Sequence, residues 1–182
     1  DPGIFKAFFL AGGPGSGKTF ITQSAFAGTG LKVVNSDTIF ERSLLKANLS
    51  LKMPDHEEYF RDIVRRRSKL TAGSQLEQYV QGRLGLIIDA TGRDKTVITR
   101  QHSMLKAIGY DTYMIFVNTS LEVAQQRNLN RPRSVPEYIV QNSWNKVQQN
   151  IGSFQTTFKP MNMLVVDNNR SEKELVTNTV AT

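Results

Sequence analysis

The 182-residue chain has no cysteine, 39% hydrophobic residues and 21% charged residues, a balance that fits a globular domain and excludes a disordered one. Disulfides and thiolate metal sites are therefore excluded, and no apolar run approaches the roughly 20 residues of a membrane helix. A net charge of +7 favours polyanionic substrates or partners.

In chain order, Ala7 to Ala11 has the length and aromatic content of a buried strand. It stops at Gly12-Gly13-Pro14-Gly15-Ser16-Gly17-Lys18-Thr19, after which Phe20, Ile21, Ala25 and Phe26 take helical spacing. The segment satisfies G-x-x-x-x-G-K-[ST] between a strand and a helix, the context that separates a phosphate loop from an incidental glycine-rich turn. Glycines let successive backbone N–H groups curl around phosphate oxygens, and the helix N-terminus adds its positive dipole end. Lys18 is expected on the β- and γ-phosphates of a nucleoside triphosphate, and the Thr19 hydroxyl on Mg²⁺.

Leu31 to Asn35 reads as a second strand, with Ser36 or Asp37 capping a helix from Thr38 to about Ala47. Asn48 to Pro54 is a loop. From Asp55 a long helix reaches about Leu84, with a break expected at Thr71-Ala72-Gly73-Ser74 and an apolar face on Phe60, Ile63, Val64 and Leu70. Arg65-Arg66-Arg67 reads first as a solvated, salt-bridged face and second as a basic rim beside a substrate. Gly85 to Asp89 is a third strand ending in a carboxylate, followed by the turn Ala90-Thr91-Gly92-Arg93 and a helix from about Thr96 to Ile108.

Thr112 to Val117 is a fourth strand and Leu121 to Leu129 a short helix. Ser134-Val135-Pro136-Glu137 carries an S-x-x-E capping signal for a helix whose Val140, Trp144, Val147 and Ile151 form a packing stripe. Met163 to Val166 is a fifth strand, followed by Asp167-Asn168-Asn169-Arg170 and a final helix. Five strands, each apolar enough for burial on both faces, alternate with helices. That pattern predicts an α/β fold, a five-stranded, mostly parallel sheet with helices on both faces. One domain is expected over residues 1–182, with an arginine-bearing lid at roughly 127–136.

Ligands of such sheets collect at the carboxyl ends of the strands. Asp37, Asp89 and Arg170 fall there. Phosphoryl transfer to a hydroxyl needs a carboxylate to take the proton and cations to neutralise the moving charge. Asp37 and Asp89 are the available acids; Asp37 serves either as that base or only as a helix cap. Asp89 either places Mg²⁺ or only hydrogen-bonds its turn. Arg127, Arg131 and Arg133 are the available cations, and arginine suits the role because its planar fork grips two oxygens at once. His56 and His102 lack any partnering pattern and read as ordinary surface or packing residues. A GTPase is excluded: Asp89-Ala90-Thr91-Gly92 imitates D-x-x-G, but the only Asn-Lys pair, Asn145-Lys146, continues Val147-Gln148.

The ordered set resembles the P-loop kinases that include zeta-toxin kinases and the kinase domain of phage polynucleotide kinase. Asp37, in Asn-Ser-Asp-Thr, is similar to the general-base aspartate of both branches. Asp89 to Arg93, then Met104 to Tyr110, is similar to the zeta-toxin pattern, whose Thr-Gly-Arg segment lies in the substrate pocket; this implies acceptor contacts from Thr91, Gly92 and Arg93. There the acid preceding that segment is usually Glu. Gln126 to Arg131 with Val135-Pro136 resembles the polynucleotide kinase lid, which implies Arg131 on the γ-phosphate and Arg127 near the nucleotide. Where that kinase places an arginine for the acceptor's phosphate this chain has Phe40, and Arg42 is the nearest substitute. The resemblance implies an ATP- and Mg²⁺-dependent kinase. It acts on a hydroxyl of a nucleotide-containing acceptor, either a UDP-sugar or a polynucleotide 5′-hydroxyl. The alternative is a P-loop ATPase acting as a nucleotide-dependent binding or assembly module. The absence of cysteine and of any leader-like segment leads to the expectation of a cytoplasmic protein, although the Asp1-Pro2-Gly3 start without Met is that of a fragment or a processed chain.

Overall fold

The computed structural model describes residues 5–169. Five strands, β1 (Lys6–Ala11), β2 (Lys32–Val34), β3 (Leu86–Asp89), β4 (Asp111–Asn118) and β5 (Met163–Asp167), form one sheet in the order β2-β3-β1-β4-β5. Every pairing is parallel. The helices are α1 (Lys18–Ala25), α2 (Ser36–Lys46), α3 (Glu58–Gln81), α4 (Lys95–Ala107), α5 (Leu121–Leu129) and α6 (Glu137–Phe158). The final helix expected after Arg170 lies outside the described residues.

Alternation along β1 divides the sheet. Ala7, Phe9 and Ala11 face a core closed by Ala72 and Leu76 of α3, Ile98 and Leu105 of α4, and Val147, Phe154 and Phe158 of α6. The opposite face packs Ile21 of α1 against Val117, with Phe20, Ile115 and Val166 around them. Each fully buried Phe or Leu side chain contributes about 1.5–3 kcal/mol of transfer free energy. The stripe Val140, Val147 and Ile151 of α6 is packing, as its spacing predicts. The expectation of strands buried on both faces holds for the three central ones. The edge strands depart from it, with Val33 43%, Leu164 58% and Val165 48% exposed.

Three local expectations are corrected. First, α3 runs unbroken through Thr71 to Ser74; Gly73 has open space on its outer side, so nothing bends the helix there. Second, its buried stripe is Ser68, Ala72 and Leu76, while Phe60 and Leu70 are exposed; small residues let α3 lie close to its neighbours, and periodicity read from large residues missed this. Third, Ser134 does not cap α6, whose first residue follows Pro136 without a side-chain cap. His102 is a packing histidine, bonded to Thr112 at 2.9 Å and set edge-on to Phe158, and burial holds its pKa below the usual value.

Strand register sets out the functional end. Leu10 pairs with Asp89 and Val34 with Ile88. The glycine loop, Asn35 and Asp89 therefore emerge side by side at the carboxyl edge of the sheet.

Candidate active site

The loop after β1 is tied back at both ends. Gly12 N donates to Thr91 O at 3.0 Å, and Ser16 N to Gly13 O at 3.1 Å. Gly15 and Gly17 hold φ of +78° and +92°, a left-handed backbone that side chains with a Cβ resist. Space forbids a Cβ as well: at Gly15 it would strike the Ala124 carbonyl, and at Gly17 the Asn168 amide. Gly17 is also the N-cap of α1 and supplies no side-chain cap, so the first-turn amides are left for an anion. Lys18 Nζ donates to Gly12 O at 2.6 Å and lies 3.9 Å from Asp89 Oδ1.

Two residues from distant elements brace the loop. Asn168, following β5, is buried and donates from Nδ2 to Ser16 O at 2.7 Å. Arg127 on α5 reaches over the same carbonyls, 3.4 Å from Gly15 O and 3.5 Å from Ser16 O.

The acids are organised by Asn35. Its Oδ1 accepts from Asp37 N at 2.8 Å and Thr38 N at 3.2 Å, making Asn35 the cap of α2; neither Ser36 nor Asp37 takes that role. The Asp37 carboxylate is thereby left free for other work, and its side chain is 53% exposed. The other end of the Asn35 amide donates to Asp89 Oδ2 at 2.9 Å. Burial raises the pKa of Asp89; Lys18 and Arg131 oppose the rise and Asp37 adds to it.

The loop between α5 and α6 is shaped by buried Asn128, which donates to Val135 O at 2.7 Å and accepts from Val135 N at 3.0 Å. This clamp directs the arginines inward. Arg133 lies 3.6 Å from Asp37 and faces Glu41 with its Nε at 3.0 Å, an off-axis ion pair that leaves the Nε hydrogen bond unmade.

These groups line a cleft of about 570 Å³. Its lining includes Gly13 to Thr19, Asn35, Asp37, Thr38 and Glu41, Asp89 and Thr91, and Arg127, Asn128, Arg131 and Arg133. Lys18 and Asp37 thus share one cavity. Gly12 lies beneath the loop, not on the cleft surface. Of the acceptor contacts expected, Thr91 lines the cleft, whereas Arg42, Gly92 and Arg93 do not. Arg42 is exposed, because on α2 it is Glu41 that shares the face of Asp37. Gly92 is buried against Ala11, Phe154 and Val147, and Arg93 reaches Ser143 Oγ at 3.3 Å. Arg170 lies outside the described residues. Arg133, one of the three candidate cations, lines the cleft; sequence reasoning missed Asn35, Glu41, Asn128 and Asn168. Of these only Asn35 carried a local signal, as an Asn directly preceding a helix.

The cleft also fits Mg²⁺ in company with a nucleotide. Thr19 and Asp89 reach the same cavity, and among the described residues no cluster of three or more His, Cys, Asp or Glu exists to cage a metal. Mg²⁺ is held in such sites by one or two protein groups plus phosphate oxygens.

A family model described as "AAA domain" matches residues 8–153. No curated protein matches the sequence. Among solved structures, the PezAT chromosomal toxin–antitoxin system of Streptococcus pneumoniae is 19% identical, covering 91% of this chain and 69% of that one at TM-score 0.57. The Pnkp1/Rnl/Hen1 RNA repair complex is 18% identical, covering 83% and 46% at TM-score 0.63. Shikimate kinase from Acinetobacter baumannii is 16% identical, covering 97% and 91% at TM-score 0.56. At these identities the likeness is one of fold. No helix among the described residues is long and apolar enough to cross a membrane.

Proposed function

The chain belongs to the AAA domain family and has a P-loop kinase fold, and on that premise we propose that it is a phosphotransferase. It moves the γ-phosphate of ATP to a hydroxyl of a nucleotide-containing acceptor. The observation that carries this reading is the shared cleft: a half-exposed Asp37 and the loop lysine Lys18 line one cavity with Arg127, Arg131 and Arg133.

In this mechanism the amides of Gly13 to Thr19 and the Lys18 ammonium bind the triphosphate. Lys18 exchanges its bond to Gly12 O for phosphate oxygens. Asp37 accepts the proton of the acceptor hydroxyl as its oxygen bonds to the γ-phosphorus and the bond from that phosphorus to the β–γ bridging oxygen breaks, releasing ADP. Arg131, which lines the same cleft, neutralises charge on the phosphoryl group, while Arg127 holds the nucleotide side. Thr19 and Asp89 would hold Mg²⁺, which when bound supplies charge neutralisation on the phosphates. Asn35 orients both acids at once, presenting Asp37 through the α2 cap and Asp89 through its amide.

Incubation with γ-labelled ATP and a panel of nucleosides, nucleotides, UDP-sugars and oligonucleotides tests the reading. Label on an acceptor hydroxyl is the expected result. Release of label to water alone, unaffected by every acceptor, would overturn it in favour of a nucleotide-driven assembly module.

A further inference from the structure

We propose that Glu41 is a specificity residue that takes a hydrogen bond from a second hydroxyl beside the one that reacts. The acceptor is then a vicinal diol with no phosphate next to its reactive hydroxyl. This rests on the kinase reading of the cleft. Glu41 lies one helical turn beyond Asp37 on α2, and both line the cleft. Side chains so placed have Cβ atoms about 5–6 Å apart, close enough for hydroxyls on adjacent carbons to reach both acids. Arg133 joins the two carboxylates, its Nη2 3.6 Å from Asp37 Oδ1 and its Nε 3.0 Å from Glu41 Oε1.

Accessibility decides what a ligand meets beside the base. The Arg133 side chain is 11% exposed, against 35% for Glu41 and 53% for Asp37. Its guanidinium also lies 5.6 Å from the ring of buried Phe40, and its charge is shared between two acids. The other arginines of the cleft work elsewhere. Arg127 reaches over the Gly15 and Ser16 carbonyls, and Arg131 is close enough to Asp89 to oppose the rise in its pKa. Arg65 stacks on Phe40 at 4.1 Å and does not line the cleft. An incoming molecule therefore meets carboxylate oxygens next to Asp37. Among the described residues Arg133 is the one ion-pair partner of Glu41, and no hydrogen bond engages its carboxylate. A carboxylate accepts and does not donate, so a hydroxyl satisfies it. A phosphate in that place has no proton to give and sets a second negative charge against Glu41.

Two readouts on the wild-type chain, Glu41→Gln and Glu41→Asp separate this inference from the kinase reading. They are calorimetric binding of UMP, 2′-deoxy-UMP, uridine 3′-monophosphate and UDP-glucose, and kcat/KM for γ-phosphate transfer to each. UMP and 2′-deoxy-UMP differ by one neighbouring hydroxyl, and uridine 3′-monophosphate carries phosphate in place of one. Wild type is expected to favour UMP and UDP-glucose over the other two. Gln keeps the volume of Glu41 and removes its charge. The preference for diols is expected to fall on the order of 10- to 100-fold in Glu41→Gln, as for loss of a hydrogen bond to a charged group, and to return in part in Glu41→Asp. A wild type that favours no diol in either readout overturns the assignment. So does an equal loss on every acceptor in Glu41→Gln, the result of a mere brace for Arg133. Transfer with a diol preference that is the same in wild type and Glu41→Gln overturns the role of Glu41 and leaves the kinase intact. A Glu41-dependent diol preference in binding, with no label passed to any compound, sustains that role and overturns the kinase.

Discussion

Asn35→Ala removes a single side chain that works on two acids. Its Oδ1 caps α2 through Asp37 N and Thr38 N, and its Nδ2 donates to Asp89. Loss of an Asn cap costs about 1 kcal/mol, and loss of a hydrogen bond to a nearly buried carboxylate about 1.5–3 kcal/mol. Asp89 keeps its Lys18 contact at 3.9 Å, so the sum expected is about 2–4 kcal/mol. For a chain of this size that lowers Tm by about 5–15 °C. Asn35→Asp sharpens the test, because Asp still caps α2 yet sets a second carboxylate against Asp89. The two variants are compared by circular dichroism melting at neutral and at mildly acidic pH. Both deficits are expected to shrink at the acid pH as Asp89 takes up a proton, the Asp deficit by more because it adds the repulsion of a second carboxylate. An Ala variant within about 0.5 kcal/mol of wild type, or an Asp deficit identical at both pH values, would refute this account of Asn35.

Asp89→Asn should abolish transfer while improving the stability of the unliganded protein as pH rises. The folded pKa of Asp89 is raised, so the native state binds the proton more tightly than the unfolded chain, and wild type loses stability between the unfolded and the folded pKa; denaturant midpoints across that window, equal for both proteins at its acid end and diverging above it, are the measurement. Gly17→Ala places a Cβ at φ +92° against the Asn168 amide and is expected to cost about 1–3 kcal/mol from backbone strain alone, with loss of ATP binding seen by calorimetry. Chelation with EDTA should stop γ-phosphate transfer, and added Mg²⁺ should restore it, because Thr19 and Asp89 need the ion to act on the phosphates.

The parts of the fold and site legible in the sequence are those written in adjacent residues. A strand of Ala and Phe ending in glycines, lysine and threonine specifies β1, the loop and α1 together, and strands that end in Asn35 and Asp89 announce which edge carries the ligands. Asn35, Ser36 and Asp37 are all good caps, and only the backbone path selects Asn35 among them. Arg65 was placed first on a solvated face because a run of three arginines looks uniform. The position of Phe40 across the α2–α3 contact singles out one of them. Asn128 and Asn168 act on backbone groups 7 and 152 residues away, and neither partner leaves a mark in the local pattern. Arg42 was favoured for its charge and its nearness to Asp37 along the chain, but helical spacing turns it away and puts Glu41 beside the base.

The proposed transfer turns on Asp37 acting as the base in a cleft that Lys18 also lines. Single-turnover transfer of labelled γ-phosphate by Asp37→Asn, run beside calorimetric ATP binding, measures this directly. The rate is expected to fall on the order of 10²–10⁴-fold while ATP binds no more weakly than to wild type. Transfer at the wild-type rate would contradict it.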